Sequence, residues 1–519
     1  MLREVFCGDE RIAIRLPEDA RIVLPPEPVA ALRDYAGAVR RALRNPEGSA
    51  PLQDLVKPSS RVTIAFDDPC IPLPPLWRDV RGQAIEVVLE ELYRAGLDRD
   101  QVRLVCANGL HRKWTYGELR HLVGRRVWQE MGPERISCHD AEDPSGVVEL
   151  GKSASGHTVE VNRLVRDSDL LVYVNVNWTS MNGGFKSIVV GLGTFRSIRC
   201  HHNVRTLEQG TLMDPERSLY HRVMEDMGAV VSREANVFTV ETVLNNRIWH
   251  PLLAGFLSLT AGSGNGDRPL PQTAPGGGLA AKLVQSLPRR ARSLLQDRLR
   301  SAYQPIAVNA GRIENVHPLT LEVLHLQQNT VVQGQTDALL LALPNLSPYS
   351  VFSRINPLLA MNMALGYAYN LHQRRPLVRE GGVLILMNPF SPGFHPVHHP
   401  SYEDFYNRVL PETRDPHEIE DRFEMEFATK AEYVHRYRYK YAYHGVHPLY
   451  VWIWGVLAMK RLGRILVVGA ENDEVVRRLG LTPARNLDEA YGIAQEILGK
   501  GFSLTLPVMP PIFCAEVQA

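Results

Sequence analysis

The sequence predicts an α/β protein of two domains, each built on a mainly parallel β-sheet, and three observations lead to this prediction. Apolar runs rich in β-branched residues alternate with segments of helical pattern, which is typical of parallel sheets covered on both faces. The chain has 519 residues, more than one ordinary core accommodates. A stretch rich in glycine and proline, residues 261–279, separates two such series.

The elements of the first domain follow one another as this fold requires. Thr115 followed by Glu118 forms a capping box, which marks the start of a helix. The first 17 residues alternate as in a short strand and lack the apolar core of a signal peptide. Strands are predicted at 61–66, 102–106, 136–138 and 169–174, and helices at 83–95 and 115–123.

The second domain repeats the alternation after the linker. Its predicted strands are 337–343, 382–387 and 464–468, and its clearest helix is 487–498. We therefore predict an N-terminal α/β domain over 1–260, a linker with a basic helix over 261–302, and a C-terminal α/β domain over 303–519. The last strand of the chain could return to the N-terminal domain.

Composition and charge exclude several classes of protein. The formal net charge is +1 and no basic stripe with interleaved aromatic residues occurs, so we expect no nucleic-acid partner. The longest apolar run, 449–459, is too short to span a membrane and indicates a buried helix. Six scattered cysteines without a C-x-x-C pair argue against a thiolate zinc site and fit a reducing cytoplasm.

Polar segments follow three of the predicted strands of the first domain, at 67–69, 108–111 and 175–186. Ligands of open α/β sheets bind outside the carboxyl ends of the strands. Because parallel strands end at the same edge, we expect these three segments to lie close together.

The segment 175–202 is the densest in groups that can carry chemistry. A P-loop would place glycine directly before the lysine, but Phe185 stands between Gly184 and Lys186, so that motif fails. A dinucleotide loop at 191–193 lacks its third glycine. The remaining alternatives are a specialised cofactor loop, in which Gly183 and Gly184 admit a close ligand, or a glycine turn with a surface lysine.

Two histidines stand near these segments. His111 follows a strand and a glycine, a position suited to a general base or a metal ligand, although a lone histidine is more often a satisfied structural residue. His202, sixteen residues beyond Lys186, is a candidate metal ligand.

Taken in order, these features resemble the nickel-dependent lactate racemase family over about residues 61–202. The matching series is Asp-x-x-x-Pro-x-Pro from Asp68, Gly109-x-His111, Glu118, His139-Asp140, Gly151 to Gly156, Val161-Asn162-Arg163, Asp169, Gly183-Gly184-x-Lys186 and His202. The resemblance implies an active site in the cleft between the two domains.

The resemblance also implies a cofactor, the nickel-pincer nucleotide pyridinium-3-thioamide-5-thiocarboxylic acid mononucleotide. In the family a lysine that matches Lys186 holds the cofactor covalently. A histidine that matches His202 ligates the nickel, although the neighbouring His201 could be the matching residue instead. Imidazole suits a roughly square-planar Ni(II). Asp68, Gly183 and Gly184 would complete the cofactor site.

The family mechanism implies a catalytic role for His111. A histidine that matches it removes the hydroxyl proton while a hydride moves to the cofactor, and return from the other face inverts the carbon centre.

Three departures from the family pattern concern the substrate. Val176 stands where the family has its second catalytic histidine, and Ile71 stands where an arginine pairs the substrate carboxylate. The segment 359–362 lacks the family's Gln-x-x-Lys lysine. We therefore expect a larger or less acidic substrate than lactate, with Trp178 and Ile71 lining an apolar pocket. Candidates for a second base are His395, His398 and His399, which follow the strand 382–387.

The function expected from these observations is a racemase or epimerase of a 2-hydroxy acid or related secondary alcohol. The alternatives are a family member that runs a one-way redox or lyase reaction, and a non-catalytic nucleotide- or metabolite-binding protein. The expected partners are a small hydroxy acid or alcohol and the enzymes that make the cofactor, with no membrane, and a homo-oligomer is compatible with the sequence.

Overall fold

A computed structural model describes residues 1–70, 75–249, 300–351, 353 and 355–519. It is a mixed α/β structure whose larger sheets are mainly parallel, which confirms the predicted fold class. The predicted linker, most of the predicted basic helix, and Ile71 lie outside the described residues.

The strands are numbered in chain order. They are β1 (Leu2–Cys7), β2 (Glu10–Arg15), β3 (Arg21–Val23), β4 (Val62–Asp67), β5 (Val102–Ala107), β6 (Ile136–Cys138), β7 (Val147–Lys152), β8 (Thr158–Asn162), β9 (Leu170–Asn177), β10 (Val237–Leu244), β11 (Pro305–Gly311), β12 (Asn329–Gln333), β13 (Thr336–Ala342), β14 (His372–Gln373), β15 (Val378–Met387), β16 (Arg464–Val468), β17 (Thr482–Ala484), β18 (Leu504–Pro507) and β19 (Cys514–Gln518).

The α-helices of the described residues lie between and after these strands. They are Tyr35–Arg44, Val80–Arg94, Tyr116–Met131, Leu164–Asp167, Lys186–Val189, Phe195–Ile198, Val204–Leu207, Leu219–Glu234, Ile313–Gln328, Pro357–Met361, Pro400–Asp404, Leu410–Glu412, Pro416–Thr429, Ala431–Tyr439, His447–Ile453, Val456–Arg461, Asp473–Arg478 and Leu487–Leu498. Within this part of the chain, none of them combines the length and apolarity that crossing a bilayer requires.

The first large sheet has the strand order β11-β10-β9-β4-β5-β6. All of its pairs are parallel except β10 with β11. The strands β4, β5 and β9 therefore end at one edge, and the segments after them carry the polar residues expected there. This shared edge positions the candidate site.

The second large sheet has the order β17-β16-β15-β13-β18-β3, with every pair parallel. The two halves of the chain exchange strands: β3 lies in this second sheet, and β11 lies in the first. The last strand, β19, pairs with β12 and β14 in a small separate sheet. The domain boundaries at 260 and 303 stay predictions.

Several local expectations are confirmed. Thr115 caps the helix Tyr116–Met131 through a capping box with Glu118, and the helix Leu487–Leu498 has its predicted bounds. One expectation is wrong: residues 1–17 form the hairpin of β1 and β2 instead of a single strand. The chain reverses at Gly8, whose φ is +64°, a conformation that glycine adopts without strain.

The tyrosine-rich segment 432–443 joins the two halves of the chain. It forms the helix Ala431–Tyr439, on which Tyr433 and Tyr437 are buried. The Tyr437 hydroxyl donates to the Gly109 carbonyl at 2.8 Å and accepts from the Ala141 amide at 3.0 Å. The helix is thereby anchored beside the strand-end loop that carries His111.

Candidate functional site

A cavity lies between the two halves, at the carboxyl edge of the first sheet. It encloses about 810 Å³ of space free of atoms, its solvent-open mouth included. Its lining includes Asp67, Asp68, Cys70, Asn108, His111, Tyr173, Gly183, Lys186 and His202 from the first half of the chain, and Tyr349, His447, Tyr450 and Trp454 from the second half. The predicted site residues Asp68, His111, Gly183, Lys186 and His202 thus share one cavity.

Lys186 is the first residue of a short helix, Lys186–Val189, and Phe185 separates it from the two glycines. Its ammonium group has no hydrogen bond or ion pair with the part of the chain that the structure describes. Burial lowers the pKa of Lys186, while the charges of Asp67 and Asp68 act in the opposite direction. A buried primary amine that faces a cavity and whose pKa is lowered is suited to nucleophilic attachment.

Glu241 holds the loop before Lys186 in place. This carboxylate on β10 is wholly buried. It accepts a hydrogen bond from the Gly184 amide at 2.7 Å, and its other oxygen pairs with His317 Nδ1 at 3.1 Å. Because the Gly184 amide is already bonded and Gly184 does not line the cavity, its predicted contact with a cofactor is not supported by this geometry.

Gly183 faces both the cavity and this buried cluster. Its φ is +81°, and a Cβ atom there would lie 2.2 Å from Asn177 Oδ1 and 2.7 Å from Glu241 Oε1. From the sequence, the glycines are explained by close approach of a ligand. In the structure, a side chain at Gly183 is excluded by protein atoms, those of Asn177 and Glu241.

His202 lies in the cavity wall, and His201 lies behind it. The two rings are joined through their Nδ1 atoms at 2.8 Å, which leaves His202 Nε2 for the cavity. Burial, reinforced by the positive charges of His201, Lys186 and His111, holds the pKa of His202 well below its ordinary value. A neutral imidazole with a free nitrogen is the form that binds metal ions.

His111 is oriented by Asp68. Its Nδ1 lies 2.9 Å from Asp68 Oδ2, and the Asn108 side-chain amide donates to the His111 carbonyl at 3.1 Å. Burial disfavours the Asp68 carboxylate, but the charge and hydrogen bond of His111 outweigh it and hold the pKa of Asp68 below its usual value. With Nδ1 engaged, Nε2 of His111 is the nitrogen left to act on a ligand.

Asp68, Cys70 and His111 bring three atoms of metal-ligand type within 4.8 Å of one another. Burial raises the pKa of the Cys70 thiol well above its ordinary value, and its sulfur lies 3.4 Å from the Tyr443 hydroxyl. A protonated thiol is a poor ligand, so the Asp68–His111 pair is better suited to proton transfer than to a second metal.

Asp67 also lines the cavity, although only its place in the strand-end segment marks it in the sequence. It accepts hydrogen bonds from the Val176 amide at 2.7 Å and the Tyr173 hydroxyl at 3.1 Å. Burial raises the pKa of Asp67 to about 6. Val176 therefore contributes to the site through its backbone.

The second half of the chain contributes an imidazole that the sequence analysis misses. His447 begins the helix His447–Ile453 and lines the cavity, and its ring centroid lies 5.2 Å from that of His111 in an edge-to-face arrangement. Tyr349 packs against both rings, at 4.7 Å from His447 and 5.1 Å from His111. The available signal was the histidine–proline pair that opens this apolar helix, a common helix start.

The three histidines proposed from sequence as a second base do not line the cavity. His399 is buried and its Nε2 lies 3.1 Å from the Tyr349 carbonyl, while His398 is bonded to Ser353. His395 stacks on His398 with ring centroids 4.0 Å apart. Residues 395–399 follow the strand β15 as expected, but their side chains contact other protein groups and do not line the cavity.

Trp178 is likewise misplaced by the sequence analysis. It packs near Tyr303, with ring centroids 6.3 Å apart, and faces a separate small cavity. Aromatic lining of the main cavity comes instead from Tyr349, Tyr450 and Trp454.

Positive charge is scarce around the cavity. Among its described lining residues, Lys186 is the only lysine or arginine. Arg112, next to His111, is turned away into an ion pair with Glu118 at 2.7 Å and lies over the Trp114 ring. At the position of the expected lysine, Asn362 is buried and donates to the Val451 carbonyl at 3.1 Å.

The N-terminal part of the chain is similar to a known protein family. Residues 7–213 match the family model described as lactate racemase N-terminal domain. The lactate racemase of Lactiplantibacillus plantarum is 26% identical over 169 residues, which cover 32% of this chain and 38% of the relative. The lactate racemase of Thermoanaerobacterium thermosaccharolyticum is 27% identical over 213 residues, 38% of this chain and 46% of the relative. The matches thus span less than half of each relative's length.

Solved structures extend the likeness to the whole fold. The lactate racemase apoprotein from Thermoanaerobacterium thermosaccharolyticum has a TM-score of 0.64 at 18% identity, with 100% of both chains covered. A protein from Thermotoga maritima has a TM-score of 0.53 at 11% identity, covering 95% of this chain and 100% of its own. At these identities the structural likeness supports the fold alone.

Proposed function

We propose, from the premise that the chain is a divergent member of the lactate racemase family, that it is a nickel-dependent racemase or epimerase of a 2-hydroxy acid or related secondary alcohol. The observation that carries this proposal is the convergence of Lys186, His202 and His111 on one cavity. Each of the three has a nitrogen available to that cavity.

The residues present fit a nickel-pincer nucleotide. Lys186 offers an amine without a protein partner among the described residues, and His202 offers Nε2 as a neutral donor, since Nδ1 is bonded to His201. Lys186 would tether or position the nucleotide, and His202 would ligate its nickel. When bound, this group supplies a reversible acceptor for the hydride of the substrate carbon. The protein would then depend on the enzymes that make the cofactor in the same cytoplasm.

The chain itself moves the hydroxyl proton. Asp68 accepts from His111 Nδ1, so the neutral ring presents the lone pair of Nε2 to the cavity. His111 takes the substrate hydroxyl proton there, and the Asp68 carboxylate stabilises the imidazolium that forms. Asp68 is in this sense a positioning residue that acts through His111.

The cavity favours a larger or less acidic substrate than lactate. An arginine fork would bind a carboxylate strongly, but Lys186 is the only lysine or arginine among the described lining residues, and it is assigned to the cofactor. Tyr349, Tyr450 and Trp454 supply extended apolar surface. We propose a hydroxy acid with a bulky side chain or a neutral secondary alcohol.

A one-way oxidation is the second candidate, favoured by one observation. Val176 provides only its backbone to the site, so the position of the family's second histidine holds no base. Such an enzyme would form ketone from one enantiomer and return none of the other, and it would need a second carbonyl compound as hydride acceptor to complete each turnover.

The test uses protein purified from a cell that also makes the cofactor. It is incubated in D₂O with single enantiomers of a panel of hydroxy acids and secondary alcohols, and the products are separated on a chiral column. We expect inversion without deuterium at the carbon, because hydride transfer returns the original hydrogen. Protein from cells without the cofactor-making enzymes is the control and should be inactive. Inversion with carbon-bound deuterium, or none with any compound, would contradict the proposal.

A further inference from the structure

We infer that His447 is the second catalytic imidazole of this site and serves the substrate enantiomer that His111 does not. The inference rests on the proposed racemisation, and it assigns the second proton-transfer step to a helix of the C-terminal half. His447 and His111 lie in edge-to-face contact, with ring centroids 5.2 Å apart, and both line the cavity that Lys186 faces. A hydroxyl group in that cavity can therefore meet either ring.

The two rings are held in the same way. His111 is bonded through Nδ1 to the Asp68 carboxylate, and His447 is bonded through Nδ1 to the Tyr402 hydroxyl. In both rings Nε2 has no hydrogen-bond partner in the part of the chain that the structure describes. Two imidazoles that each present a free Nε2 to one cavity form a pair suited to two-sided proton transfer.

Packing fixes the orientation of His447. Three tyrosine rings surround it, with centroid distances of 4.7 Å for Tyr349, 4.8 Å for Tyr443 and 5.8 Å for Tyr402. Only 5% of the residue's surface is exposed. A free nitrogen alone does not distinguish His447, because both ring nitrogens of the buried His372 also lack a partner among the described residues; the place of His447 in the cavity wall beside His111 does.

The proton balance closes when each enantiomer has its own base. With one enantiomer, the substrate O–H bond breaks and an N–H bond forms at His111 Nε2. The product O–H bond forms with the proton that leaves Nε2 of a protonated His447, a strong proton donor because burial lowers its pKa well below the ordinary value. One turnover thus moves one proton from His447 to His111. The reverse reaction moves it back, and repeated turnover in one direction resets the two rings by proton exchange with solvent, so no oxidant is consumed. The carbon–hydrogen bond is broken and remade by the chemistry described for the bound nucleotide.

The pair is chemically unequal. A carboxylate supports the imidazolium of His111, whereas a phenol, kept neutral by the buried position that raises the pKa of Tyr402, supports His447. The reaction of one enantiomer should therefore be slower than that of the other in a single turnover.

The first test compares half-reactions of the cofactor-loaded His447→Gln and His111→Gln variants with those of the wild type. Ketone formed from each enantiomer is trapped after one turnover. His447→Gln should keep ketone formation from one enantiomer and lose the other about 100-fold or more, and His111→Gln should show the mirror pattern. His417→Gln, at an exposed histidine, is the matched control and should behave as wild type. If His447→Gln leaves both half-reactions intact, or lowers both equally at full cofactor content, the inference is overturned.

A second test does not need the substrate and so separates this inference from the proposed function. In ¹⁵N-histidine-labelled protein, NMR reports which nitrogen of each neutral ring carries the proton, and the His447 signals are those missing from His447→Gln. The inference requires the proton on Nδ1, bonded to Tyr402, and a bare Nε2. A ring protonated at Nε2 would overturn it even if no substrate is ever turned over. If the NMR result agrees but no compound is inverted, the proposed function fails instead.

Discussion

Replacing Glu241 by glutamine probes the support of the cofactor loop without any substrate. Glu241 is wholly buried and uses both oxygens, one for the Gly184 amide at 2.7 Å and one for His317 Nδ1 at 3.1 Å. Glutamine has nearly the same shape and keeps a carbonyl oxygen for the Gly184 amide. The substitution therefore removes mainly the charge and the pairing with His317.

The expected loss in the free energy of unfolding follows from the burial of the Glu241–His317 ion pair. Removing one partner of a fully buried ion pair costs about 3–5 kcal/mol. His317 is partly exposed and can lose its proton once Glu241 is neutral, so the cost should fall to that of one hydrogen bond to a charged group, about 1.5–3 kcal/mol. We expect the free energy of unfolding to drop by about 2 kcal/mol near pH 6.

The stabilisation by the Glu241–His317 pair should depend on pH in a definite direction at each end of its range. Burial opposes the charge of Glu241, but the His317 charge and the hydrogen bonds outweigh it, so the pKa of Glu241 is lowered. Burial likewise opposes the charge of His317, but Glu241 outweighs it and the pKa of His317 is raised. The carboxylate stabilises the fold above the ordinary glutamate pKa of about 4.3, and the imidazolium stabilises it below the raised histidine pKa. The free energy of unfolding of the wild type should exceed that of the variant by the largest amount between these two pH values.

The assay is urea unfolding followed by fluorescence and circular dichroism from pH 4 to pH 9. Glu322→Gln, at an exposed glutamate on the same helix as His317, is the control and should change little at any pH. A stability difference between Glu241→Gln and wild type that stays constant over this range, or no difference near pH 6, would refute the assigned ion pair.

Four further substitutions test the site itself. Lys186→Arg keeps a positive charge but removes the primary amine, so the cofactor absorbance of purified protein should fall to background. His202→Gln removes the proposed nickel ligand, and metal analysis should show at least about a 10-fold loss of nickel relative to organic cofactor. Asp68→Asn should leave the melting temperature near wild type yet lower turnover about 100-fold or more, because His111 loses the acceptor that orients it. Gly183→Ala should lower the free energy of unfolding by about 1–3 kcal/mol in urea titrations, since its Cβ would meet Asn177 at a positive φ.

The parts of the fold and site that local sequence pattern determines are predictable from the sequence. Strand periodicity and the capping box at Thr115 define the first sheet, and the rule that parallel strands end together brings Asp68, His111 and Lys186 to one edge. His202 joins them because a short stretch of chain separates it from Lys186. These are local or sheet-wide constraints that a single sequence expresses.

Contacts between distant segments of the chain are not predictable from the sequence. His447 lies in the cavity wall in a part of the chain that also docks Tyr437 on the Gly109 loop, and nothing in the local sequence specifies that long-range contact. The histidines of 395–399 were expected at the cavity from their position after a strand, yet their rings bond the Tyr349 carbonyl and Ser353. The exchange of β3 and β11 between the sheets depends on tertiary pairing in the same way.

The most direct test of the central claim, that Lys186 and His202 face one cavity to hold a nickel-bearing nucleotide, is the nickel content of the purified wild-type chain. The protein is produced in a cell that makes the cofactor, and metal is measured against protein concentration. Our account predicts nickel in stoichiometric amount, together with the absorbance of the bound nucleotide. Correctly folded protein that leaves such a cell free of nickel would contradict it.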